Sequence, residues 1–143
     1  RLQHAEGIAF HGPLPGKDIP ELLGRAKYLI VTESFDPAAR RRTRYSLSTK
    51  IGESLASGAC ILAYGPEEIS SIHYLEAHQA ACILRRAEDA PALLRQLEAD
   101  PELYQSYVRR AGQLAETAHD PQTNRQAVCR LLQQVCAAGE VQP

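Results

Sequence analysis

RRRTRYSLSTKIGESLASGACILAYG, residues 40–65, joins a basic segment, a short helix and a buried strand. Ser48 or Thr49 is predicted to cap the helix, because either hydroxyl can accept a hydrogen bond from a first-turn amide. Gly58 is expected to end the helix in the left-handed conformation. CILAY at 60–64 is then a compact apolar run of strand length. This order of elements is typical of a strand–helix–strand fold.

The predicted helix carries one polar and one apolar stripe, as the spacing of three and four residues indicates. The polar stripe consists of Lys50, Glu53, Ser54 and Ser57, and the apolar stripe of Ile51, Gly52, Leu55 and Ala56. A helix start that follows four arginines favours an anion such as phosphate. A carboxylate one turn further along can accept hydrogen bonds from both hydroxyls of a diol. A glutamate is also favoured early in a helix for dipole reasons alone, so this pattern is a hypothesis about Glu53.

Apolar runs of strand length alternate with helical patterns along the rest of the chain. Strands are predicted at 7–10, 28–32, 60–64 and 80–84, and helices at 19–26, 66–78, from 90, from 101 and from 121. The run at 28–32 is continuous, which is typical of a parallel strand covered on both faces. Alternating strands and helices predict the α/β class: a Rossmann-like parallel sheet with helices on both faces. The helices at about 101–138 would form a C-terminal cap.

Several predicted helix starts carry a capping residue or a proline. Asp18 is a candidate cap, Asp100-Pro101 and Asp120-Pro121 combine a cap with a first-turn proline, and Pro66 takes a position that proline prefers. Residues 33–45 lack an apolar helical period and are predicted to form a loop long enough to suggest function. Ligands of such sheets bind at the carboxyl ends of the strands, where the loops at 12–16, 33–49 and 65–68 would meet.

The composition excludes several classes of function. A chain of 143 residues with a formal net charge of -1 is predicted to be one domain, and not a general binder of nucleic acids or membrane surfaces. No apolar run approaches the ~20 residues that cross a bilayer. The four cysteines lack metal-ligand spacing and are predicted to be core thiols in a reducing cytoplasm. Because the chain begins with Arg1 and contains no methionine, it is expected to be part of a longer protein.

The segment SLSTKIGESLASGACILAYG resembles the donor-binding segment of GT-B-fold glycosyltransferases, in which Glu-(Ala/Tyr)-x-Ala-x-Gly-x-Pro-(Val/Ile) follows a polar helix start. Two further segments resemble that family: FHGPLP at 10–15 its Val-x-Phe-x-Gly-x-Val entry, and DPELYQSYVRRAG at 100–112 its late Asp-Pro-x-Leu helix. The residues of the first segment that are in register with the family pattern are Glu53, Ala56, Gly58 and Ile61.

The resemblance implies the donor half of a GT-B enzyme of carbohydrate biosynthesis. Such an enzyme moves a sugar from a nucleotide-diphosphate sugar to an acceptor hydroxyl, with no metal or other cofactor and with an N-terminal acceptor domain that this chain lacks. The chain alone is therefore expected to be inactive. Glu53 would hold the ribose, Lys50 and Thr49 the diphosphate, the backbone near Leu14 the base and Tyr45 the sugar. Ser48, Arg44 and Gly12 would complete the donor-binding set, and no catalytic residue is assigned.

Two alternatives remain open at this point. Tyr45 stands eight positions before Glu53, where many relatives carry an earlier glutamate near the donor sugar. This departure is compatible with a non-catalytic nucleotide-binding or regulatory module. A protein-interaction domain that uses the arginine run is the other alternative.

Overall fold

The computed structural model describes residues 6–139, and its sheet consists of three parallel strands. In the order of the sheet these are β1 (Tyr28–Thr32), β2 (Cys60–Tyr64) and β3 (Cys82–Leu84). Tyr28 lies opposite Cys60, and Leu62 lies opposite Cys82. The α/β class and the parallel sheet are therefore confirmed, and the predicted bounds of β1 and β2 match those of the structure.

Helices connect the strands and follow the last one. They are α1 (Ile19–Gly24), α2 (Pro37–Thr43), α3 (Lys50–Ala56), α4 (Ser70–Ala77), α5 (Ala90–Ala99), α6 (Pro101–Ala118) and α7 (Pro121–Gly139). Short 3-10 turns precede α1 and α5, at Gly16–Asp18 and Ala87–Asp89. No helix within residues 6–139 combines the length and the apolar character that crossing a membrane requires.

The core has two sides, because alternate residues of β2 point to opposite faces of the sheet. Ile61 and Ala63 pack with the apolar residues of α3 and α4 and with Ala111 of α6. Cys60 and Leu62 pack on the other face, against Leu97 of α5 and the first turns of α6. Helices therefore cover both faces of β2, as predicted.

The β1 strand departs from the prediction that it is covered on both faces. The Ile30 side chain is 71% exposed, and no strand within the described part of the chain pairs with the outer edge of β1. The predicted strand at 7–10 is absent there as well, and Ile8 and Phe10 are exposed in irregular backbone. An apolar run makes a strand only if a neighbour supplies hydrogen bonds, and residues 8–10 have no such neighbour within residues 6–139.

The predicted helix starts at the two late aspartates are confirmed. Asp100 Oδ1 accepts a hydrogen bond from the Leu103 amide at 2.9 Å, and Asp120 Oδ2 accepts one from the Thr123 amide at 2.7 Å. Asp18 precedes α1 without capping it through its side chain, so that prediction was wrong.

Two further predictions about helices were wrong. Residues 33–45 contain the helix α2, whose first turn is capped by Asp36 Oδ1, which accepts from the Ala39 amide at 2.8 Å. Pro66 does not begin α4, since residues 66–69 form a turn in which the Ile69 amide donates to the Pro66 carbonyl at 3.3 Å. That turn directs the fully buried Ile69 side chain into the core before the helix starts.

The helix α7 leaves its apolar stripe uncovered. Val128, Leu131, Leu132 and Val135 are between 56% and 63% exposed. Cys129 and Cys136 are exposed on the same helix, so the prediction of four core thiols was wrong for these two. It is confirmed for Cys60 and Cys82, whose buried sulfur atoms lie 3.9 Å apart in neighbouring strands.

Candidate functional site

The start of α3 is built differently from the prediction. No side-chain hydrogen bond caps the helix at Thr49, which already has helical dihedral angles of -61° and -23°. The Ile51 amide donates instead to the Ser48 carbonyl at 3.1 Å. Capping by the Ser48 or Thr49 hydroxyl was therefore a wrong prediction. The predicted end is confirmed, because Gly58 has a φ of +78°, in the left-handed region.

The two stripes of α3 are confirmed in part. Lys50 and Glu53 are exposed, and Ile51 and Leu55 are buried, as predicted. Ser54 is buried, because its hydroxyl donates to the Lys50 carbonyl at 2.9 Å and so needs no water.

A cavity of about 470 Å³ lies between α1, the carboxyl-terminal part of β1 and α3. We refer to it as the α3 cavity. Apolar residues of α1 and β1 form one part of its wall. The polar residues that line it are Thr32, Glu33, Ser48, Lys50, Glu53 and Ser54. The structure therefore brings together three of the predicted site residues, at the sheet edge where ligands of such folds bind.

Thr32 and Glu33 were missed by the sequence reasoning. Both follow the apolar run of β1, so their position at the carboxyl end of a predicted parallel strand was the available signal. Lys50 and Glu53 form no ion pair with any residue in 6–139. Their charges are therefore available to a ligand.

Arg44 and Tyr45 lie at a different cavity, of about 390 Å³, together with Glu67, Ser70 and His73. The Arg44 guanidinium carbon is 5.2 Å from the centre of the Tyr45 ring, and Tyr45 is 84% exposed. The structure thus separates these two predicted residues from Glu53.

Gly12 and Leu14 are not among the residues that line the α3 cavity. Gly12 has a φ of +69°, and the Leu14 side chain is 37% exposed. The structure does not bring these two residues together with Glu53. Thr49 is exposed at the start of α3 and does not line the cavity either.

The segment between α2 and α3 is fastened to the start of α4 by two serines. Ser70 donates to the Arg44 carbonyl from its amide at 2.9 Å and from its hydroxyl at 2.8 Å. The fully buried Ser71 hydroxyl donates to the Ser46 carbonyl at 3.3 Å and accepts from the Ser48 amide at 3.1 Å. These bonds fix the backbone that carries Arg44 on one side and Ser48 on the other.

Among the described residues, no group of three or more histidine, cysteine or acidic side chains is arranged to hold a metal ion. The polar groups of the α3 cavity instead comprise one cation, two carboxylates and three hydroxyls. Such a set can bind an anion through Lys50 and hydroxyl groups through Glu53.

A model of the family described as glycosyl transferase-like matches residues 2–130 of this chain. The chain belongs to this family. The match includes β1, α3 and the whole α3 cavity. The comparison with curated proteins and the comparison with solved structures each give no match. The resemblance that residues 46–65 suggested is confirmed at the level of the glycosyl transferase-like family.

Proposed function

We propose that this glycosyl transferase-like chain binds the nucleotide-sugar donor of a sugar-transfer reaction, with the nucleotide in the α3 cavity. The observation that supports this most directly is the placement of Lys50 and Glu53. Both side chains are exposed, are not paired with a described residue and line the same cavity at the carboxyl end of β1. A cation and a carboxylate one helical turn apart match a phosphate joined to a ribose.

Each of these side chains would have a distinct role. The Lys50 ammonium would neutralise the diphosphate and stabilise the charge that grows on it as the sugar departs. The Glu53 carboxylate would accept hydrogen bonds from both ribose hydroxyls, and Ser48 and Thr32 would supply further hydroxyl contacts. The sugar would pass to a hydroxyl of an acceptor held by a further domain of the full-length protein.

The role of Glu53 can be tested by calorimetric titration of the full-length protein with a panel of nucleoside diphosphates. Glu53→Gln keeps the side-chain shape but removes the charge, so the bonds to the ribose lose about 1.5–3 kcal/mol. Binding of the preferred nucleotide should weaken by about one to two orders of magnitude. The melting temperature should hardly change, because exposed substitutions alter stability by about 0.5 kcal/mol at most.

Glu102→Gln is the matched control. Glu102 is also an exposed glutamate in the first turn of a helix, α6, and does not line the α3 cavity. It should leave nucleotide affinity unchanged. Equal affinity of the Glu53→Gln variant and the wild type would refute the proposed site.

Tyr45 favours a second candidate function, nucleotide binding without sugar transfer. The resemblance places Tyr45 where many members of the family carry a glutamate, and its cavity is not the one that holds Glu53. Turnover of a nucleotide-sugar by the full-length protein would decide between the two, since a non-catalytic module binds the donor without consuming it.

A further inference from the structure

A third polar cavity, of about 380 Å³, lies at the carboxyl-terminal half of α2 and shares Arg44 with the cavity beside Tyr45. Pro37, Arg40, Arg41, Arg44 and Glu68 line it, and we refer to it as the arginine cavity. The sequence suggested a basic loop in this region. Residues 37–43 instead form the helix α2, with Arg44 at its end. Arg40, Arg41 and Arg44 line the arginine cavity together.

The charges in the arginine cavity are unbalanced. Arg40 forms an ion pair with Glu68, the only carboxylate among the lining residues. Arg41 and Arg44 form no ion pair with a carboxylate in the described part of the chain. A guanidinium group offers two parallel N–H donors, which match two oxygens of a phosphate or a carboxylate.

A simpler explanation covers only part of this arrangement. Basic residues in the last turn of a helix stabilise its dipole, and Arg40, Arg41 and Arg42 occupy the last turn of α2. Arg42 can serve that purpose without lining the cavity. Arg44 is the C-cap residue of α2, and its carbonyl is fixed by the two bonds from Ser70. The helix dipole does not explain why Arg44 joins Arg41 at one depression.

The arginine cavity is also separate from the α3 cavity, because the two share no lining residue. The segment between α2 and α3 connects the two cavities, since it provides Arg44 to the arginine cavity and Ser48 to the α3 cavity. A ligand that reaches from one cavity to the other would thus meet Lys50 at one end and the arginines at the other.

We propose that the arginine cavity binds an oxyanion, a phosphate or carboxylate group, that is distinct from the diphosphate of the donor. The substrate that carries it is either the donor sugar or the acceptor. This assignment rests on the proposed function for its place in the reaction, but the anion site itself can be tested independently.

The test is a calorimetric titration of the full-length protein with hexose 6-phosphate, hexuronate, inorganic phosphate and the neutral hexose. Titrations with and without saturating nucleoside diphosphate are compared. At least one anionic probe should bind more tightly than the neutral hexose, and should still bind when the nucleotide is present. Arg41→Gln and Arg44→Gln should each weaken the binding of that anionic probe by about 10- to 100-fold.

Arg42→Gln is the matched control, because it removes the same charge from the same helix outside the cavity. Arg42→Gln should change the affinity for the anionic probe less than about twofold. Melting curves should show that all three variants remain folded at the temperature of the titration. If Arg42→Gln weakens the binding of the probe as much as Arg41→Gln does, the electrostatic attraction is not specific to the cavity and the proposal fails.

Two arms distinguish the source of the anion. If the donor sugar carries it, a nucleoside diphosphate hexuronate should bind more tightly than the corresponding hexose donor, and Arg41→Gln should abolish that difference. If the acceptor carries it, the free anionic probe should bind together with a nucleotide-sugar whose sugar is uncharged. Either result supports the arginine cavity as an oxyanion site.

The proposal is overturned if no anionic probe binds, or if Arg41→Gln weakens the binding of the nucleoside diphosphate itself. In the second case the arginines belong to the diphosphate site. Failure of the proposed function has a different signature, in which no nucleoside diphosphate binds while the anionic probe still depends on Arg41.

Discussion

At the scale of single residues, the Ser71 hydroxyl combines full burial with two bonds to the segment between α2 and α3. It is both donor and acceptor, and its partners are backbone groups of Ser46 and Ser48. A buried backbone group that loses its hydrogen-bond partner lowers the free energy of unfolding by about its own desolvation penalty. One side chain thus supports the geometry of both cavities.

Ser71→Ala should therefore lower the free energy of unfolding by about 1–3 kcal/mol, because it leaves the Ser48 amide and the Ser46 carbonyl without this partner. Urea unfolding of the variant and the wild type would measure the difference. Ser106→Ala is the control, since its hydroxyl bonds only to the Leu103 carbonyl of its own helix. A loss below about 0.5 kcal/mol for both variants would contradict this role of Ser71.

The sequence predicted the site only in part at this scale. The exposure of Lys50 and Glu53 follows from helical spacing, which is local information. The separation of Arg44 and Tyr45 from Glu53 depends on how the segment after α2 is fastened to α4, and local spacing does not contain that contact. The burial of Ser54 was missed because a back-bond to Lys50 satisfies its hydroxyl.

At the scale of elements, a polar cluster joins β1 to α5 and α6. Glu98 accepts hydrogen bonds from Lys27 Nζ at 2.6 Å and from the Tyr28 hydroxyl at 2.8 Å. The Tyr104 hydroxyl donates to the Lys27 carbonyl at 2.9 Å. Burial, followed by the hydrogen bond to Glu98 and the charge of that carboxylate, raises the pKa of Tyr28 to about 12.

This shift predicts a specific loss of stability at alkaline pH. The folded pKa of Tyr28 lies above its unfolded value of about 10, so the contribution of Tyr28 is complete below pH 10 and is lost as the pH rises towards 12. The difference in unfolding free energy between wild type and Tyr28→Phe should be constant up to about pH 9 and shrink above pH 10. Urea titrations across this range would measure it, and a difference that grows with pH would refute the linkage.

The elements themselves were predictable where a local signal was complete. The apolar runs gave the bounds of β1 and β2, and Asp100-Pro101 gave the start of α6. The helix α2 was missed although Asp36-Pro37 carries the same signal, because its arginines lack the apolar period that usually identifies a helix. The start of α4 was misplaced because burial of Ile69, a tertiary effect, requires a turn before the helix.

At the scale of the whole molecule, α6 and α7 differ in how they are held. Both are long, with 18 and 19 residues, but α6 buries Ala111, Leu114 and Ala115. All side chains described in α7, at 121–137, are exposed. Most of the stability of a protein helix comes from packing of its apolar face, so α7 lacks the main contribution that stabilises α6.

Amide hydrogen exchange should therefore be faster in α7 than in α6, by about 100-fold or more, when this chain is studied by itself. Mass spectrometry of peptides from 101–118 and 121–137 would compare the two helices in one sample. Similar protection of both helices would contradict the prediction and would indicate that another surface covers the apolar stripe of α7.

The placement of the cysteines has a practical consequence. Cys60 and Cys82 are enclosed by the sheet and its helices, whereas Cys129 and Cys136 are open to solvent on α7. An alkylating reagent would modify the second pair in the native protein, but would reach the first pair only when the sheet opens. The rate at which the Cys60 and Cys82 thiols are alkylated therefore measures how often the sheet opens, without any introduced label.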